Sequence, residues 1–475
     1  KELRRKRHEE EDRAAARTYI REHGLAVDVL KTMYGYARRF EEIEERYSKM
    51  VAEALDGKVE TFVAYDYAEF LHAHKHFDEA LALANEVTQI GTGGGIDEQT
   101  VVRCEILKGK IYGDLQRFSD AESAYKAAVR GALSASGEAS RRLLAEAYDA
   151  RGALYAHIQR YESAEEDDIS AIAIWEKFAK EDPVAYRKSL ADAYYRLGAL
   201  YAYLRRFGEA EELYGKALEI RRALSEGDPH GYASNLADTY FAFAAMYAYM
   251  LKVDEAEKYH LAAIDMRRML AEENPLCFEN DLATSYYALG AMYAFHGRYP
   301  ESEEVHLKAL EIRRRYALRD PRVFEPDYAA SNICLGDLYL HWGKYDKAEK
   351  FYAVALEIGE RIAAAAPDAY ERELASILDG MGILFGKTAR ADESEAVFLR
   401  ALEIGKRLAA NSEEAFVPLV VTTLYYYGES RFTFGDEEKG KALWAEAVAF
   451  AKPKLPEPVC NDYYSKITQK FPELG

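Results

Sequence analysis

The sequence predicts an all-α protein, a right-handed superhelical solenoid of antiparallel helix hairpins. Small residues recur every 46 positions, prolines recur at the same interval in another phase, and the apolar residues between them follow helical spacing. A chain of 475 residues is too long for one ordinary core, because cores stop growing near ~250–300 residues. Stacked repeats avoid this limit, since each unit buries its apolar surface against its neighbours.

The small residues mark the first helix of each unit, and the prolines mark where that helix begins. The small residues are Gly152, Gly198, Ala244, Gly290, Gly336, Gly382 and Gly428. The prolines are Pro183, Pro229, Pro275, Pro321 and Pro367. Four of the prolines follow Asp or Asn, which can cap free amide groups, and proline is tolerated at the first helical position. We therefore expect one helix to start at each proline.

Each unit has the pattern of a helical hairpin. Helical spacing runs over residues 190–204, is interrupted at 205–208, and resumes over 209–224. The interruption ends with a basic residue and an aromatic residue in several units, and we expect the ring to close the end of the hairpin. Arginine pairs recur near the ends of the second helices, where cations favour the helix dipole. These pairs are Arg221-Arg222, Arg267-Arg268 and Arg313-Arg314.

One set of spacings resembles the tetratricopeptide repeat. A small residue is followed by Tyr three, Ala twelve, an aromatic sixteen and Ala nineteen residues later. In one unit these are Gly198, Tyr201, Ala210, Tyr214 and Ala217. The common repeat has ~34 residues, so this chain resembles the long, kinesin-light-chain-like variants, with each helix longer by about one and a half turns. The resemblance implies that ligands lie on the inner, concave surface formed by the first helices.

The repeat pattern divides the chain into four parts. We expect a charged N-terminal helix or linker at 1–24, degenerate shorter hairpins at 25–144, seven long repeats at 145–452 and a C-terminal cap at 453–475. The chain begins with Lys1 and a run of mixed charge, which favours a fragment of a larger protein.

The predicted partner-binding residues lie on the concave face of the first helices, three or six residues before the small marker residue or five after it. They are Asp192, Tyr195, Tyr203, Asp238, Phe241, Tyr249, Tyr287, Phe295 and His341. Alanines between them leave room, while the rings offer apolar area that suits an amphipathic helix or an extended peptide. The alternative stays open that long repeats coil tightly and these rings pack on neighbouring inner helices.

Composition excludes several partners and compartments. The formal charge of −19 and the pI near 5.2 oppose attraction to nucleic acid or anionic membranes. Four cysteines without paired spacing indicate neither a disulfide framework nor a zinc knuckle, so we expect a cytoplasmic protein. The inner positions also lack the recurring Lys, Arg and Asn that tetratricopeptide co-chaperones use to grip a C-terminal carboxylate.

Two local motifs superficially resemble a phosphate-binding loop and a metal site, but neither has the residues that such a site needs. Residues 91–96 are glycine-rich, but they follow a helix and lack the Gly-Lys-Ser/Thr ending of a phosphate loop. His72, His74 and His76 have no accompanying His-Glu-x-x-His pattern or third carboxylate ligand. The sequence therefore predicts no catalytic residue, no metal site and no cofactor.

Two functions remain. The first is a non-enzymatic scaffold or adaptor that binds a partner protein or peptide on the concave face. The second is the sensor or regulatory arm of a larger effector, such as a bacterial signalling or defence ATPase or a caspase-like peptidase. The sequence leaves open whether the chain self-associates or is fused to such an effector domain.

Overall fold

The computed structural model describes residues 62–92, 97–451 and 462–471, and all regular secondary structure within them is α-helical. The predicted all-α solenoid of antiparallel helix hairpins is confirmed. The predicted charged segment 1–24 and residues 25–61 of the predicted degenerate hairpins lie outside the described residues. So does most of the predicted cap, in which residues 462–470 form a short helix.

The chain divides into two compact units, residues 1–246 and 247–475. The described helices of the first unit, with α9 continuing three residues into the second, are α1 (Phe62–Ala73), α2 (Phe77–Thr92), α3 (Glu98–Asp114), α4 (Phe118–Ser134), α5 (Glu138–His157), α6 (Tyr161–Glu181), α7 (Pro183–Tyr203), α8 (Phe207–Gly227) and α9 (Pro229–Tyr249). Those of the second unit are α10 (Val253–Glu273), α11 (Pro275–Phe295), α12 (Tyr299–Arg319), α13 (Pro321–His341), α14 (Tyr345–Ala365), α15 (Pro367–Lys387), α16 (Ala391–Asn411), α17 (Glu413–Thr433), α18 (Glu437–Ala451) and α19 (Asp462–Lys470).

Each predicted proline is the first residue of a helix. Asp182 caps α7 by accepting the backbone N–H groups of Val184 and Ala185, both at 3.1 Å. Asp228 accepts the N–H of Gly231 at 2.9 Å, whereas the side chains at the starts of α11 and α13 make no capping bond. Proline position alone therefore predicts the helix start, and capping adds to it at two of these sites.

The marker glycines allow the two helices of a hairpin to approach closely around one large side chain. A Cβ added at Gly198 would lie 2.9 Å from Cδ1 of Tyr214, and one at Gly382 would lie 2.6 Å from Cζ of Phe398. In both cases the large side chain stands sixteen residues after the glycine, on the second helix. Small residues at these positions are thus a packing requirement, because any side chain would displace a buried ring.

A left-handed residue turns the chain between the two helices, and a basic residue follows it. Arg205 adopts a φ of 59°, after which the guanidinium of Arg206 lies 3.9 Å from the ring centroid of Tyr201. Arg206 also donates to Glu165 of the preceding hairpin at 2.9 Å, and the Tyr201 hydroxyl donates to the same carboxylate at 2.7 Å. This cluster ties the end of one hairpin to the next.

Candidate partner-binding surface

In the first unit, two of the predicted binding residues hold neighbouring hairpins together. Asp192 accepts a hydrogen bond from Nη2 of Arg221 at 2.6 Å, and the Arg221 guanidinium lies 4.6 Å from the ring centroid of Tyr195. Arg221 is itself buried, and it donates to the hydroxyl of Thr239 in α9 at 2.7 Å. The first arginine of the pair therefore bridges successive inner helices, a larger role than favouring a helix dipole. Asp192 and Tyr195 take part in this bridge.

Tyr287 has the same surroundings in the second unit. The Arg313 guanidinium lies 4.7 Å from its ring centroid, and the His306 ring meets it edge-on at 5.6 Å. The thiol of Cys334 donates to the Tyr287 hydroxyl at 2.9 Å. These contacts are those of a packed side chain, in line with the alternative in which the rings pack on neighbouring helices.

Two predicted residues lie half-buried at the same repeat positions of α9. Asp238 and Phe241 both have interaction partners within the protein. The half-buried positions of the predicted stripe thus contribute to internal packing wherever the structure describes them.

The remaining predicted residues are exposed, because each is the last residue of an inner helix. Tyr203 in the first unit is 68% exposed, and its hydroxyl accepts from that of Tyr161 at 3.1 Å. In the second unit Tyr249 is 74% exposed, Phe295 is 76% exposed, and His341 is also exposed. Large exposed rings at a repeated position are candidates for partner contact.

The second unit also contains a groove between its inner helices α13, α15 and α17. The groove encloses about 790 Å³, which is in the ~300–1,000 Å³ range of ligand clefts. Its polar lining, with the predicted His341 among it, comprises Asp337, His341, Tyr345, Arg372, Ser376, Asp379, Lys387, Thr422 and Tyr426. Sequence reasoning missed Asp379, although an acidic residue stands there at the repeat position that carries Tyr195, Phe241 and Tyr287 in other units.

The floor of the groove is acidic and poorly compensated. Asp379 is only 6% exposed, and burial raises the pKa of its carboxyl to about 7. The Thr423 hydroxyl donates to Oδ2 of Asp379 at 2.8 Å, while Oδ1 has no hydrogen-bond partner among the described residues. Burial also raises the pKa of Asp337, whose carboxylate accepts from the Tyr352 hydroxyl at 2.5 Å.

The rim of the groove is basic. Arg372 and Lys387 are exposed on α15, and neither forms an ion pair within the described part of the chain. His341 donates from Nδ1 to the backbone carbonyl of Asp337 at 2.7 Å, since a carbonyl can only accept. Its Nε2 is then the acceptor in the neutral ring. The groove therefore combines a buried carboxylate with cations at its edge.

Among the described residues there is neither a cluster arranged for metal binding nor a helix that could span a membrane. In residues 62–92, 97–451 and 462–471, no group of three or more His, Cys, Asp or Glu side chains is arranged to hold a metal ion. His72 contacts Asp114 through Nε2 at 2.7 Å, and His74 contacts the carbonyl of Phe70 through Nδ1 at 2.8 Å. Among the described helices, none combines the length and the apolar character needed to cross a membrane. Of the glycine-rich motif, residues 93–96 lie outside the described part.

Comparison with known structures supports the fold. The apo form of RapI matches with a TM-score of 0.55 at 15% identity, covering 82% of this chain and 96% of RapI. The apo form of the quorum sensor NprR from B. thuringiensis matches with a TM-score of 0.53 at 15% identity, covering 82% of this chain and 97% of NprR. PH0952 from Pyrococcus horikoshii, a signal transduction ATPase with numerous domains and a tetratricopeptide repeat sensor, matches at 0.53 and 16%, covering 85% of this chain and 54% of PH0952. At such identities the likeness shows the fold alone.

Sequence comparison identifies the repeat itself. No curated protein matches the sequence significantly. Residues 190–230 and 281–361 each match a family model described as tetratricopeptide repeat. Both regions coincide with hairpins of the structure, α7–α8 and α11–α14. These two regions of the chain are therefore tetratricopeptide repeats.

Proposed function

We propose that this protein is a non-enzymatic interaction scaffold that binds a segment of a partner protein in the groove of its second unit. The groove carries this proposal because it is large, lies between inner helices and mixes apolar with polar lining. Leu340, Ile383 and Leu419 supply apolar surface, while the buried carboxylate and the basic rim supply directional contacts. Binding surfaces with a few polar groups in an apolar setting favour one ligand over others.

The exposed rings of the second unit extend this surface in the proposal. Tyr249 is the last residue of α9, and Phe295 is the last residue of α11. His341 occupies the same repeat position at the end of α13, where it lines the groove. Rings of this size contribute apolar contact at little cost in side-chain entropy. A partner segment longer than the groove would therefore gain affinity from them.

The lining argues for binding over catalysis. The hydroxyl of Ser376, the serine of the groove, donates to the backbone carbonyl of Arg372 at 3.2 Å. An activated serine would instead donate to a histidine or another base. His341 is committed through Nδ1 to the carbonyl of Asp337. The proposal accordingly assigns no catalytic role to either residue.

A blocked groove tests the proposal. Ser376→Trp would fill the groove from an exposed position, and Ala353→Trp adds the same ring at an exposed position of α14 that does not line the groove. Proteins captured from cell extract and identified by mass spectrometry should bind the wild type and Ala353→Trp but not Ser376→Trp. Circular dichroism would establish that all three are equally helical. An identical set of captured proteins for both variants would refute the groove as the binding site.

A second candidate function is a sensor arm. PH0952 is described as an ATPase with a tetratricopeptide repeat sensor, and the matched region spans 54% of that chain. An array of this kind could report partner binding to an effector domain encoded in the same reading frame or carried on another chain. Sequencing the complete reading frame tests this: a nucleotide-binding or peptidase motif in frame would favour the sensor arm over the stand-alone adaptor.

We also propose a cytoplasmic location. The free thiols of Cys104, Cys277 and Cys334 suit it, since disulfides are rare in reducing compartments.

The resemblance to the long, kinesin-light-chain-like repeats and the self-association of the chain stay predictions. Sedimentation of the purified chain over a range of concentrations would test self-association.

A further inference from the structure

Asp379 is an unusual residue to find in the floor of a groove. Burying a carboxylate costs several kcal/mol unless it is paired and hydrogen-bonded. This free energy is on the order of the desolvation cost of one ion. Asp379 has one oxygen without a partner and no cation beside it among the described residues. This oxygen has almost no solvent-exposed surface of its own, although Asp379 as a residue lines the groove between α13, α15 and α17.

The single internal partner of Asp379 is only partly available. The Thr423 hydroxyl lies 2.8 Å from Oδ2 of Asp379 and 3.1 Å from the backbone carbonyl of Leu419. One hydroxyl has one proton, so it fully satisfies one of these two acceptors at a time. Without ligand, a protonated Asp379 can donate to Thr423, which then donates to Leu419. An incoming cation would favour the ionised carboxylate instead.

The same repeat position in the first unit shows which group satisfies such a carboxylate. Asp149 precedes Asp379 by 230 residues, which is five periods of 46. The Arg196 guanidinium donates to Oδ1 of Asp149 through Nη2, and Trp175 donates to Oδ2 through Nε1 at 2.8 Å. Arg196 and Trp175 come from the following inner helix and the intervening second helix, so the repeat geometry brings a guanidinium directly to this position.

The second unit lacks both donors. The residue 230 positions after Arg196 is Tyr426, and the residue 230 positions after Trp175 is Gly405. Tyr426 lines the groove, where its ring offers a face of the kind on which arginine stacks. Elsewhere in this chain arginine lies over tyrosine repeatedly, as Arg221 does over Tyr195. Among the described residues, Asp379 therefore has no counterpart of the Arg196 guanidinium.

We propose, building on the proposed function, that the groove recognises a partner segment through an arginine side chain whose guanidinium pairs with the carboxylate of Asp379. Arg372 and Lys387 at the rim hold acidic residues of the same segment. Guanidinium suits the site better than ammonium, because its planar donors can bond a carboxylate and stack on a ring at once. The arginine of the bound segment would thus pair with Asp379 as Arg196 pairs with Asp149 in the first unit.

A matched pair of peptide pools tests this inference. Immobilised wild-type protein is presented with random heptapeptides that carry a central arginine, and separately with the same pool carrying citrulline, a neutral isostere. We expect the arginine pool to be retained at least about tenfold more, since pairing with a desolvated charge discriminates strongly. Asp379→Asn should abolish the preference, whereas Asp149→Asn should keep it, because that carboxylate is already occupied.

Each outcome separates the two proposals. Equal retention of both pools, still lost in Ser376→Trp, would overturn arginine recognition and leave the groove as the binding site. Retention that survives Ser376→Trp would overturn the groove itself, and retention of neither pool would overturn both. If Asp379→Asn is less helical than the wild type, Tyr426→Arg supplies the second variant: an internal arginine should displace the arginine pool, and an undiminished preference would refute the inference.

Discussion

Asp149 in the first unit and Asp379 in the second occupy the same position of the repeat, yet their surroundings differ. Both oxygens of Asp149 have donors from Arg196 and Trp175. Asp379 has one donor, Thr423, and one oxygen without a partner. The comparison teaches that one repeat geometry can build either an internal clamp between hairpins or a vacant receptor position. Which of the two results depends on residues far away in the sequence.

In the repeats between these two positions, internal arginines clamp neighbouring hairpins together. Arg221 and Arg313 reach the next inner helix and lie over Tyr195 and Tyr287. One period after Arg313 the residue is Gly359, and one period later it is Gly405. The series of internal arginines therefore ends at Arg313, which reaches α13, the first of the inner helices that line the groove.

Removing the cation from the filled position should have the largest effect. Arg196→Ala leaves Asp149 and the buried Asp168, its partner at 2.7 Å, without their guanidinium. We expect the free energy of unfolding to fall by about 3 kcal/mol, because uncompensated buried charges are costly. Denaturation by urea measures this. Arg372→Ala, which removes an exposed arginine, is the control, and equal effects of the two variants would contradict the comparison.

The contribution of Asp379 to the free energy of unfolding should depend measurably on pH. Burial raises the pKa of Asp379 to about 7 in the folded chain, above the value of 3.8 for an unperturbed carboxyl. The folded state therefore holds this proton more tightly, so the contribution of Asp379 to stability is complete below pH 4 and is lost as the pH rises to 7. We expect a loss of a few kcal/mol, because each unit of difference in pKa between the folded and unfolded states corresponds to about 1.4 kcal/mol.

The measurement compares the wild type with Asp379→Asn across that pH range. The difference between their unfolding free energies should change between pH 4 and 7 and be constant above. Subtraction cancels contributions that both proteins share from the other charged and polar groups of the groove, namely Asp337 and His341 from α13, Tyr345 from α14, Arg372 and Lys387 from α15, and Tyr426 from α17. A pH-independent difference would show that Asp379 is ionised throughout.

An arginine introduced beside Asp379 should convert this position into an internal ion pair like that of Asp149 and Arg196. Tyr426→Arg places a guanidinium at the repeat position of Arg196, and we expect unfolding to become less favourable by about 1 kcal/mol through a new charged hydrogen bond. Thermal unfolding of the wild type, Tyr426→Arg and the double variant with Asp379→Asn measures this. A stabilisation that persists without Asp379 would mean that the arginine does not pair with it.

The smallest effect on stability is expected at the exposed rings. Phe295→Ser should alter the free energy of unfolding by less than about 0.5 kcal/mol, because the ring is 76% exposed. The same change should weaken capture of a partner that extends beyond the groove. Tyr287→Ser is the contrasting variant, and since Tyr287 contacts Arg313 and His306 its loss should reduce stability instead. Equal stability losses would remove the distinction between exposed and packed rings.

The sequence by itself determined the helical hairpins, because periodicity, proline and close-packed glycine act locally and repeat. The starts of the inner helices at Pro183 and its counterparts, and the need for Gly198 and Gly382, could be read from spacing alone. The same spacing put His341 and Phe295 in one predicted stripe with Tyr195 and Tyr287 and did not separate exposed from packed members. Each of these features depends on neighbours within one hairpin.

Only the tertiary structure decided which inner residues are available. Tyr195 and Phe295 look alike as aromatic residues in a repeated stripe, but the first is covered by Arg221 from the second helix while the second ends its helix in solvent. Asp379 looked like any of the 82 acidic residues until its burial, its vacant oxygen and the absence of a counterpart to Arg196 in the described groove were seen together. These properties are set by side chains from three helices, and a pattern along one helix does not encode them.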